Sequence, residues 1–513
     1  MQMKKITYLI STIFIAASLS GCGAPSGKTA EESVPAQAKN TWLVNSLSDI
    51  ETYLSAEPSN RAALSMLKNE VEHIQLVIAT SSDDSLEIIR ANAADGIDFN
   101  CRSLENFEKM SDVLVPCNGK VVPKDHLVKV WLTFRTGTDS KAGKYDEVIK
   151  FRNADEEYAV AVSIDVADIA IPEVLTIPSV FGIHPDKFIQ DGLDNEQKMA
   201  KHKTYSDFLL NYRISPYFFD WLPGSLKIDC FSSPYSWNDY RSWEYLRDPR
   251  FNGIALPLHC LSNSELQAMV DKVRAEGLMD KSYFYIWDEP TLKKEYAEIQ
   301  EMAARLHRYA PEAKVLISFF RGPKDGSPEE DLYYVFDSLD GAASIYCTGV
   351  WSLQCNEERS RKCREKLGEG QEWWCYVCMA DTPGLAQNST GVSNRVVMWR
   401  LWKEQASGFL YWTSNNFKTM TPLTSPSDLP EGDGELVYPG EVYGSEVPCA
   451  SIRLERWRDG AEDYELLTMY ANRFGRESTE AVLAKVYTGP TEFTKDANAV
   501  SRFKAELLAG MQK

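Results

Sequence analysis

The feature that most constrains the fold is a series of eight short apolar segments between residues 180 and 412, most of them separated by helical patterns. The predicted strands are residues 180–183, 214–219, 253–258, 283–287, 315–319, 344–348, 373–378 and 409–412. After the fourth strand, apolar residues recur at helical spacing from Leu292 to Ala310, and Pro311 ends this pattern. Eight strand–helix repeats over roughly 300 residues predict a (β/α)8 TIM barrel.

The region before the barrel has a different pattern. Short β-rich runs at residues 74–79, 127–134 and 158–164 are separated by polar stretches, without a long amphipathic helix. This pattern predicts a β-sandwich. The predicted fold class is therefore multi-domain α and β, with an N-terminal β-sandwich over residues 41–175. A (β/α)8 domain with C-terminal helices follows over residues 176–513.

The first residues predict export. Two lysines precede an apolar run over residues 6–19, which at roughly 14 residues is too short to span a bilayer of ~30 Å. The run ends in Leu19-Ser-Gly-Cys22, which looks like the lipobox of bacterial lipoproteins. We therefore expect a signal peptide over residues 1–21, lipidation of Cys22 and a tether over residues 22–40. The alternative is a plain secretory signal with an incidental cysteine.

The lipobox resemblance implies a lipid anchor in the outer membrane of a Gram-negative bacterium, with the protein periplasmic or surface-exposed. The formal net charge is −19, which would repel a polyanion and excludes nucleic acid as a partner. Because the chain has 6 His and no His-Glu-x-x-His motif, we expect no metal ion and no cofactor.

The 11 cysteines include one closely spaced pair, Cys375-Tyr-Val-Cys378. Side chains at positions i and i+3 of a strand point to opposite faces, so this pair should form neither a redox nor a zinc site. Export would permit disulfides elsewhere, but their pairing cannot be deduced from the spacing.

The Asp-Glu dipeptide occurs three times, and only Asp288-Glu289 follows an aromatic strand. Barrel enzymes carry their catalytic groups at the carboxyl ends of the strands. Pro290 favours an extended backbone at Glu289. The residues alone leave two interpretations open: a catalytic carboxylate pair, or acids that stabilise a helix N-terminus.

The segment from Tyr285 to Pro290 resembles the catalytic signature of glycoside hydrolase family 123. Further similar segments are Lys68-Asn-Glu70 with Gln75, Arg213-Ile-Ser-Pro216, Trp351, Trp373-Trp-Cys-Tyr376, Gly408-Phe-Leu-Tyr-Trp412, Gly432-Asp-Gly434, Leu436-Val-Tyr-Pro439, Arg453-Leu-Glu455 and residues 458–464. From their order and spacing, the chain is identified as a member of this family.

The resemblance implies an exo-acting, retaining β-N-acetylgalactosaminidase that releases terminal β-linked N-acetylgalactosamine from glycans or glycoconjugates. The nucleophile would be the 2-acetamido oxygen of the substrate. Glu289 would protonate the leaving oxygen and later activate water. Asp288 would orient the acetamido N–H and stabilise the oxazolinium intermediate.

Sugars present C–H faces that stack on aromatic rings and hydroxyls that need fixed polar partners. The candidate substrate-binding residues are His184, Trp351, Trp374, Tyr376, Trp412 and Asn415. The Tyr376 hydroxyl is expected to donate to the acetamide carbonyl. Strand alternation places Trp374, Tyr376 and Cys378 on one face without identifying the inner one. Core packing remains the alternative for each single aromatic residue and for His184.

Acidic and basic residues of the 458–464 segment follow a helical pattern and predict a structural ion-pair network. These residues are Arg458, Asp459, Glu462 and Asp463. Two alternative functions remain: hydrolysis of another 2-acetamido sugar such as β-N-acetylglucosamine, and non-catalytic glycan binding at the cell surface, since barrels host many functions. The presence of both Asp288 and Glu289 favours an enzyme.

Overall fold

The structure is a computed structural model that describes residues 40–188, 192–218, 245–258, 261–320, 332–350, 357–379 and 382–512. The predictions for Cys22 and Trp351 lie outside the described residues, as do the predicted signal peptide and nearly all of the predicted tether.

Two packed sheets form the N-terminal region. Their strands are β1 (Thr41–Asn45), β2 (Arg61–Lys68), β3 (Val71–Ala79), β4 (Leu86–Asn92), β5 (Ile97–Phe107), β6 (Met110–Pro116), β7 (Lys120–Val121), β8 (Leu127–Thr136), β9 (Gly143–Arg152) and β10 (Glu157–Ala170). One sheet has the order β2-β10-β9-β4-β7, and the other begins β1-β3-β8-β5-β6. The predicted β-sandwich is confirmed.

Strands β3 and β8 alternate between two buried faces. Leu76 and Leu132 pack in the core between the two sheets, whereas Val77 and Trp131 belong to the larger core that the sandwich shares with the barrel. Both faces of these strands therefore lie against protein, which explains why β3 is buried along nearly its whole length, including its polar residues Glu72, His73 and Gln75.

Eight parallel strands form the second sheet. They are β11 (Ser179–Ile183), β12 (Ser215–Phe218), β13 (Ile254–Leu256), β14 (Ser282–Asp288), β15 (Lys314–Phe319), β16 (Ile345–Gly349), β17 (Glu372–Val377) and β18 (Gly408–Tyr411). The strand order is β12-β11-β18-β17-β16-β15-β14-β13. Because β11, the first strand, pairs with β18, the last, the sheet is a nearly closed barrel. All eight predicted strands are confirmed within a few residues of their ends.

Helices surround the barrel strands. They are α1 (Asn195–Asn211), α2 (Asn263–Ala275), α3 (Lys293–His307), α4 (Leu332–Leu339), α5 (Glu357–Glu365) and α6 (Gly391–Lys403). Helix α3 buries Tyr296, Ile299 and Leu306, the residues whose spacing predicted it. Among the described residues, no helix has the length and apolar character needed to cross a membrane.

After the barrel the chain returns to the sandwich. The remaining elements are β19 (Thr419–Met420), β20 (Leu423–Thr424), β21 (Val437–Tyr438), β22 (Cys449–Ser451), α7 (Ile452–Phe474), α8 (Arg476–Leu483), β23 (Tyr487–Gly489), β24 (Glu492–Phe493) and α9 (Ala497–Met511). Strand β22 pairs antiparallel with β6, and β21 pairs with β22. The first sheet of the sandwich thus ends β6-β22-β21, an extension that the sequence pattern did not predict.

Buried ion pairs join the sandwich to the helices behind the barrel. The Arg395 guanidinium of α6 lies 2.7 Å from Asp463 of α7 and 3.1 Å from Glu72 of β3. From α9, the Lys504 ammonium contacts Glu70 at 2.7 Å and also contacts Glu72. All five side chains are nearly fully buried, so each depends on its partners for compensation of its charge.

The predicted ion-pair network of the 458–464 segment is confirmed. Arg458 pairs with Glu455, and Asp459 pairs with His73. Glu462 pairs with Arg213, and Asp463 pairs with Arg395.

Candidate active site

A β-bulge at the end of β14 determines where its carboxylates point. The pairing of β14 with β15 shifts between Tyr285 and Trp287, so that Asp288 lies opposite Ser318. Tyr283 and Tyr285 face the barrel interior, while Trp287 packs against the outer core. An extra residue in a strand reverses the alternation of its side chains. The bulge thereby directs Asp288 inward.

Asp288 is held by two hydroxyl groups. Its Oδ1 atom lies 2.9 Å from the Tyr285 hydroxyl and 2.8 Å from the Ser318 hydroxyl. The two hydroxyl oxygens are themselves 2.8 Å apart. Burial raises the pKa of Asp288, and the hydrogen bonds from Ser318 and Tyr285 only partly oppose this shift.

Glu289 adopts a left-handed backbone conformation with φ +48°. The extended conformation expected from Pro290 is therefore wrong. The reason is a tertiary contact, because the Glu289 N–H is shared between the backbone oxygen of Ser318 and its hydroxyl, both at 3.2 Å. A non-glycine residue in this region is strained, and such strain concentrates at functional sites.

Tyr376 reaches Glu289 from the other side of the barrel. Its side chain faces inward from β17, and its hydroxyl donates a hydrogen bond to Oε1 of Glu289. Burial and the adjacent Glu289 hold the pKa of Tyr376 well above its usual range, so the hydroxyl keeps its proton. Gly349 makes room for the ring, because a Cβ atom there would lie 3.0 Å from Cζ of Tyr376.

These side chains meet in a cavity of about 240 Å³ at the carboxyl ends of the strands. The cavity contains four predicted site residues, namely Asp288, Glu289, Tyr376 and Trp412. The other lining residues are Tyr285, Ser318, Cys378, Met379, Leu410, Leu429 and Asp433. The site therefore combines a carboxylate pair with a tyrosine, a tryptophan and an apolar wall, which suits a sugar ring.

Asp433 is a cavity residue that lies in one of the family-like segments but was not among the predicted site residues. Its carboxylate accepts hydrogen bonds from the Met379 N–H at 2.7 Å, the Tyr411 hydroxyl at 3.0 Å and the Trp412 indole at 3.3 Å. Burial raises the pKa of Asp433. In the sequence, the two glycines that flank Asp433 were the sign of a tightly packed turn at this position. Gly434 has φ +76°, and a Cβ atom there would lie 2.8 Å from the Trp412 ring, so only glycine fits.

Three other predicted residues lie outside the lining of this cavity. Trp374 faces the barrel interior one step before Tyr376, where its indole donates to Glu372 at 2.8 Å. The Asn415 amide forms two hydrogen bonds with the backbone of His184, at 2.8 and 2.9 Å, and so joins the ends of β11 and β18. Burial lowers the pKa of His184 to about 4.

The Cys375–Cys378 pair does not converge. Cys375 packs in the outer core, whereas Cys378 borders the inner cluster and the cavity. The prediction from strand alternation is therefore confirmed. Within the described ranges, no three His, Cys, Asp or Glu side chains are grouped so that they could hold a metal ion.

Comparison with known proteins agrees with this geometry. Residues 259–470 match the family profile "Glycoside hydrolase 123, catalytic domain". A solved structure from a study of glycolipid glycan hydrolysis, a family 123 glycoside hydrolase from Clostridium perfringens, superposes with a TM-score of 0.67. The identity is 14%, over 92% of this chain and 98% of that one. A search of curated proteins gave no match.

Two β-glucuronidases are more distant. The enzyme from Dictyoglomus thermophilum has a TM-score of 0.33 and 9% identity, over 83% of this chain and 68% of that one. β-Glucuronidase 3 from Bacteroides uniformis has a TM-score of 0.28 and 11% identity, over 79% of this chain and 51% of that one. Similarity this low supports no conclusion about function.

A sandwich followed by a parallel barrel that presents two carboxylates in an aromatic cavity, together with the profile match, defines a glycoside hydrolase. The profile match includes the Asp288-Glu289 strand end and the helix α7 that contacts the sandwich. This match, over residues 259–470, supports membership of the chain in glycoside hydrolase family 123.

Proposed function

We propose that the enzyme is an exo-acting, retaining β-N-acetylgalactosaminidase in which the substrate's 2-acetamido oxygen is the nucleophile. The observation that carries this proposal is the position of Asp288 and Glu289, which are consecutive residues at one strand end and line the same cavity. A conventional retaining pair acts from opposite sides of the sugar. Two neighbours on one strand end suit a substrate that supplies its own nucleophile.

In the first step, the acetamido oxygen attacks C1 and the bond from C1 to the leaving oxygen breaks. Glu289 transfers its proton to that oxygen, and the sugar becomes an oxazolinium ion. In the second step, Glu289 takes a proton from water, whose oxygen attacks C1 and opens the oxazolinium ring. Two inversions at C1 give net retention, and Glu289 returns to its protonated form.

Asp288 is suited to hold the acetamido group. Its Oδ1 atom accepts the hydrogen bonds from Tyr285 and Ser318, and we assign Oδ2 to the acetamido N–H. The negative charge would stabilise the positive oxazolinium ion in a partly desolvated site, where electrostatic interactions are stronger than in water.

The size and lining of the cavity support removal of one terminal sugar. A volume of about 240 Å³ is below the ~300–1,000 Å³ of common ligand pockets and suits a single ring. Trp412 offers a flat apolar face and is fixed by its indole hydrogen bond to Asp433. The Clostridium perfringens relative, which hydrolyses glycolipid glycans, supports a glycan or glycoconjugate as the substrate.

Aryl glycosides of β-N-acetylgalactosamine, β-N-acetylglucosamine and β-galactose test this proposal. We expect turnover of the first, weaker turnover of the second and none of the third, because galactose lacks the acetamido nucleophile. If the β-N-acetylglucosaminide is hydrolysed faster than the β-N-acetylgalactosaminide, the substrate is β-N-acetylglucosamine and the proposed sugar is wrong. Turnover of the β-galactoside at a comparable rate would overturn the mechanism.

Substitutions at the two carboxylates separate their roles. Glu289→Gln removes the proton donor and should slow substrates with poor leaving groups by about 10²–10⁴-fold, with little effect on activated aryl substrates. Asp288→Asn should slow all substrates, since the oxazolinium ion forms with every leaving group. The exposed Asp155 and Glu57 of the sandwich region provide the controls Asp155→Asn and Glu57→Gln, which should leave the rates unchanged.

We also propose that Cys22 carries acyl chains that anchor the enzyme to the outer membrane, on the basis of the lipobox sequence at residues 19–22. A diacylglycerol and an amide-linked chain exceed the two signals needed for stable attachment. Cys22→Ala should give an unprocessed precursor or a soluble product in cell fractionation. A variant that still fractionates with membranes at the mature size would exclude this anchor.

A further inference from the structure

A second cavity, of about 660 Å³, lies between the sandwich and the barrel. Its walls come from residues 47–52 and 109–112 of the sandwich, the 387–392 segment that leads into α6, and the beginnings of α7 and α9. It shares no lining residue with the active-site cavity in the described part of the chain. We call it the junction groove.

Three helices begin at the junction groove. Gly391 of α6, Ile452 of α7 and Ala497 of α9 are the first residues of helices of 13, 23 and 15 residues, and all three line it. The N-terminus of a helix carries a partial positive charge and N–H groups that lack intrahelical acceptors. The side chains of Thr390, Ser451 and Asp496 each accept one of these N–H groups. The partial positive charges of the three termini still favour an anion at this cavity.

Arg456 adds a buried positive charge to the groove. It is only 5% exposed, and its guanidinium donates to the backbone oxygens of Ser46 at 2.8 Å and Ser48 at 3.1 Å. Over the described ranges, no carboxylate lies within ion-pair distance of it. Burial lowers the pKa of Arg456 to about 10. A buried cation without an ionic partner is costly, and a bound anion would compensate it.

The acidic residues of the groove supply only part of that compensation, because Asp112 and Asp49 oppose the lowering of the Arg456 pKa without forming an ion pair with it. Their carboxylates are paired as Asp112 with Arg453 at 2.8 Å, Glu51 with Lys129 at 2.6 Å, and Asp496 with Arg502 at 2.9 Å. Asp49 accepts a backbone N–H at 3.0 Å. Lys109 and Lys495 are exposed groove residues for which the described part of the chain shows no ion pair. Four cations and four carboxylates line the groove. Outside the ion pairs named above, the described lining leaves Arg456, Lys109 and Lys495 against one carboxylate, Asp49.

Gln387 provides an independent indication of a ligand. It lines the groove and is 4% exposed, yet neither amide atom has a hydrogen-bond partner among the described residues. Leaving such a group unsatisfied costs about 1–3 kcal/mol. Its amide N–H groups can donate to an oxyanion.

We propose that the junction groove is a binding site for an oxyanion of the sulfate or carboxylate class, either carried by an acidic glycan or free in solution. Arg456, Lys109 and Lys495 supply charge, the three helix termini supply N–H donors, and Gln387 supplies an amide donor. The site is separate from the proposed hydrolytic reaction, so failure of one proposal does not affect the other.

Isothermal titration of the purified protein tests the site, with sodium sulfate, glucuronic acid and N-acetylgalactosamine sulfate as separate probes. Sodium chloride holds the ionic strength constant, because screening alone weakens surface interactions. We expect saturable binding of at least one oxyanion that K109E/K495E weakens. Binding of neutral N-acetylgalactosamine, which belongs to the proposed active site, should be the same in the wild type and in this variant. Tighter binding of an acidic sugar than of sulfate identifies a glycan-borne group, and the reverse identifies a free anion.

The variant K109E/K495E should weaken oxyanion binding by about tenfold or more, a loss of about 1.4 kcal/mol. The control K141E/K144E makes the same charge change at two exposed lysines of the sandwich and should bind as the wild type does. Gln387→Leu, which keeps the shape, should also weaken binding. Absence of saturable binding by the wild type, or equal weakening in the control, would overturn the site. Hydrolysis by the folded variants should match the wild-type rate.

Discussion

The Tyr376 hydroxyl donates a hydrogen bond to the Glu289 carboxylate across the barrel interior. Tyr376 lies on β17 and Glu289 follows β14, three strands away in the sheet. The structure shows this hydroxyl at the proposed proton donor, so Tyr376 has the geometry of a positioning residue for Glu289. The contact with the acetamide carbonyl that the sequence led us to expect stays a prediction.

Tyr376→Phe removes this hydrogen bond and keeps the ring. Because hydrogen bonds to charged groups contribute about 1.5–3 kcal/mol, we expect kcat to fall by about 10–100-fold. KM should change little, and the melting temperature should remain close to that of the wild type. Steady-state kinetics and thermal unfolding measure both effects. An unchanged kcat would show that the contact has no role in the reaction.

The hydrogen bond from Ser318 to Asp288 predicts a pH effect. Burial raises the pKa of Asp288, and the Ser318 hydroxyl opposes that shift. The proposed mechanism needs ionised Asp288, so activity is lost as pH falls through its pKa. Ser318→Ala should raise this pKa further and move the acidic limb of the kcat/KM profile to higher pH. An acidic limb at the wild-type position, or at lower pH, would contradict this assignment of Asp288.

Asp433 should position the substrate without taking part in proton transfer. In Asp433→Asn, the amide can place an N–H group against the Met379 N–H that the carboxylate now accepts. We expect the Met379 turn and the Trp412 ring to lose their fixed positions and kcat/KM to fall by up to about 10²-fold. The pH profile should keep its wild-type shape. If the pH profile of kcat/KM lost its acidic or its basic limb in this variant, Asp433 itself would be shown to titrate in the reaction.

The ion pairs of Lys504 should stabilise the junction of sandwich and barrel. Lys504→Met leaves Glu70 and Glu72 buried near each other without this cation, and we expect a loss of about 3–5 kcal/mol in the free energy of unfolding. The control is Lys485→Met, whose ion pair with Glu506 is half-exposed and should contribute at most about 1 kcal/mol. Similar losses for the two variants in denaturant titrations would contradict this interpretation.

The barrel was predictable because each of its strands has a local apolar signal. Tyr376 and Asp288-Glu289 were predictable because they stand at strand ends. The inward direction of Asp288 was not, since it depends on the bulge against β15. Simple alternation from the inward-facing Tyr285 would have pointed Asp288 outward.

The sequence gives weaker signals for residues whose contacts lie far away along the chain. Asp433 meets Met379 across 54 positions of the chain, and its only local sign is the pair of flanking glycines. Asn415 resembled a sugar ligand at a strand end, but its amide is used by the backbone of His184. Strand β22, which returns to the sandwich, has three residues, and two of them pair with β6. This is too few for a recognisable strand pattern.

The nucleophile can be tested by fluorinating the substrate's N-acetyl group, because each fluorine makes the carbonyl oxygen less nucleophilic while changing the group's size little. Rates should be measured for aryl β-N-acetylgalactosaminides with zero, one, two and three fluorines. If the acetamido oxygen attacks C1, log(kcat/KM) should fall steeply with each added fluorine. A kcat/KM that is independent of fluorine content would contradict substrate assistance and require a nucleophile from the protein.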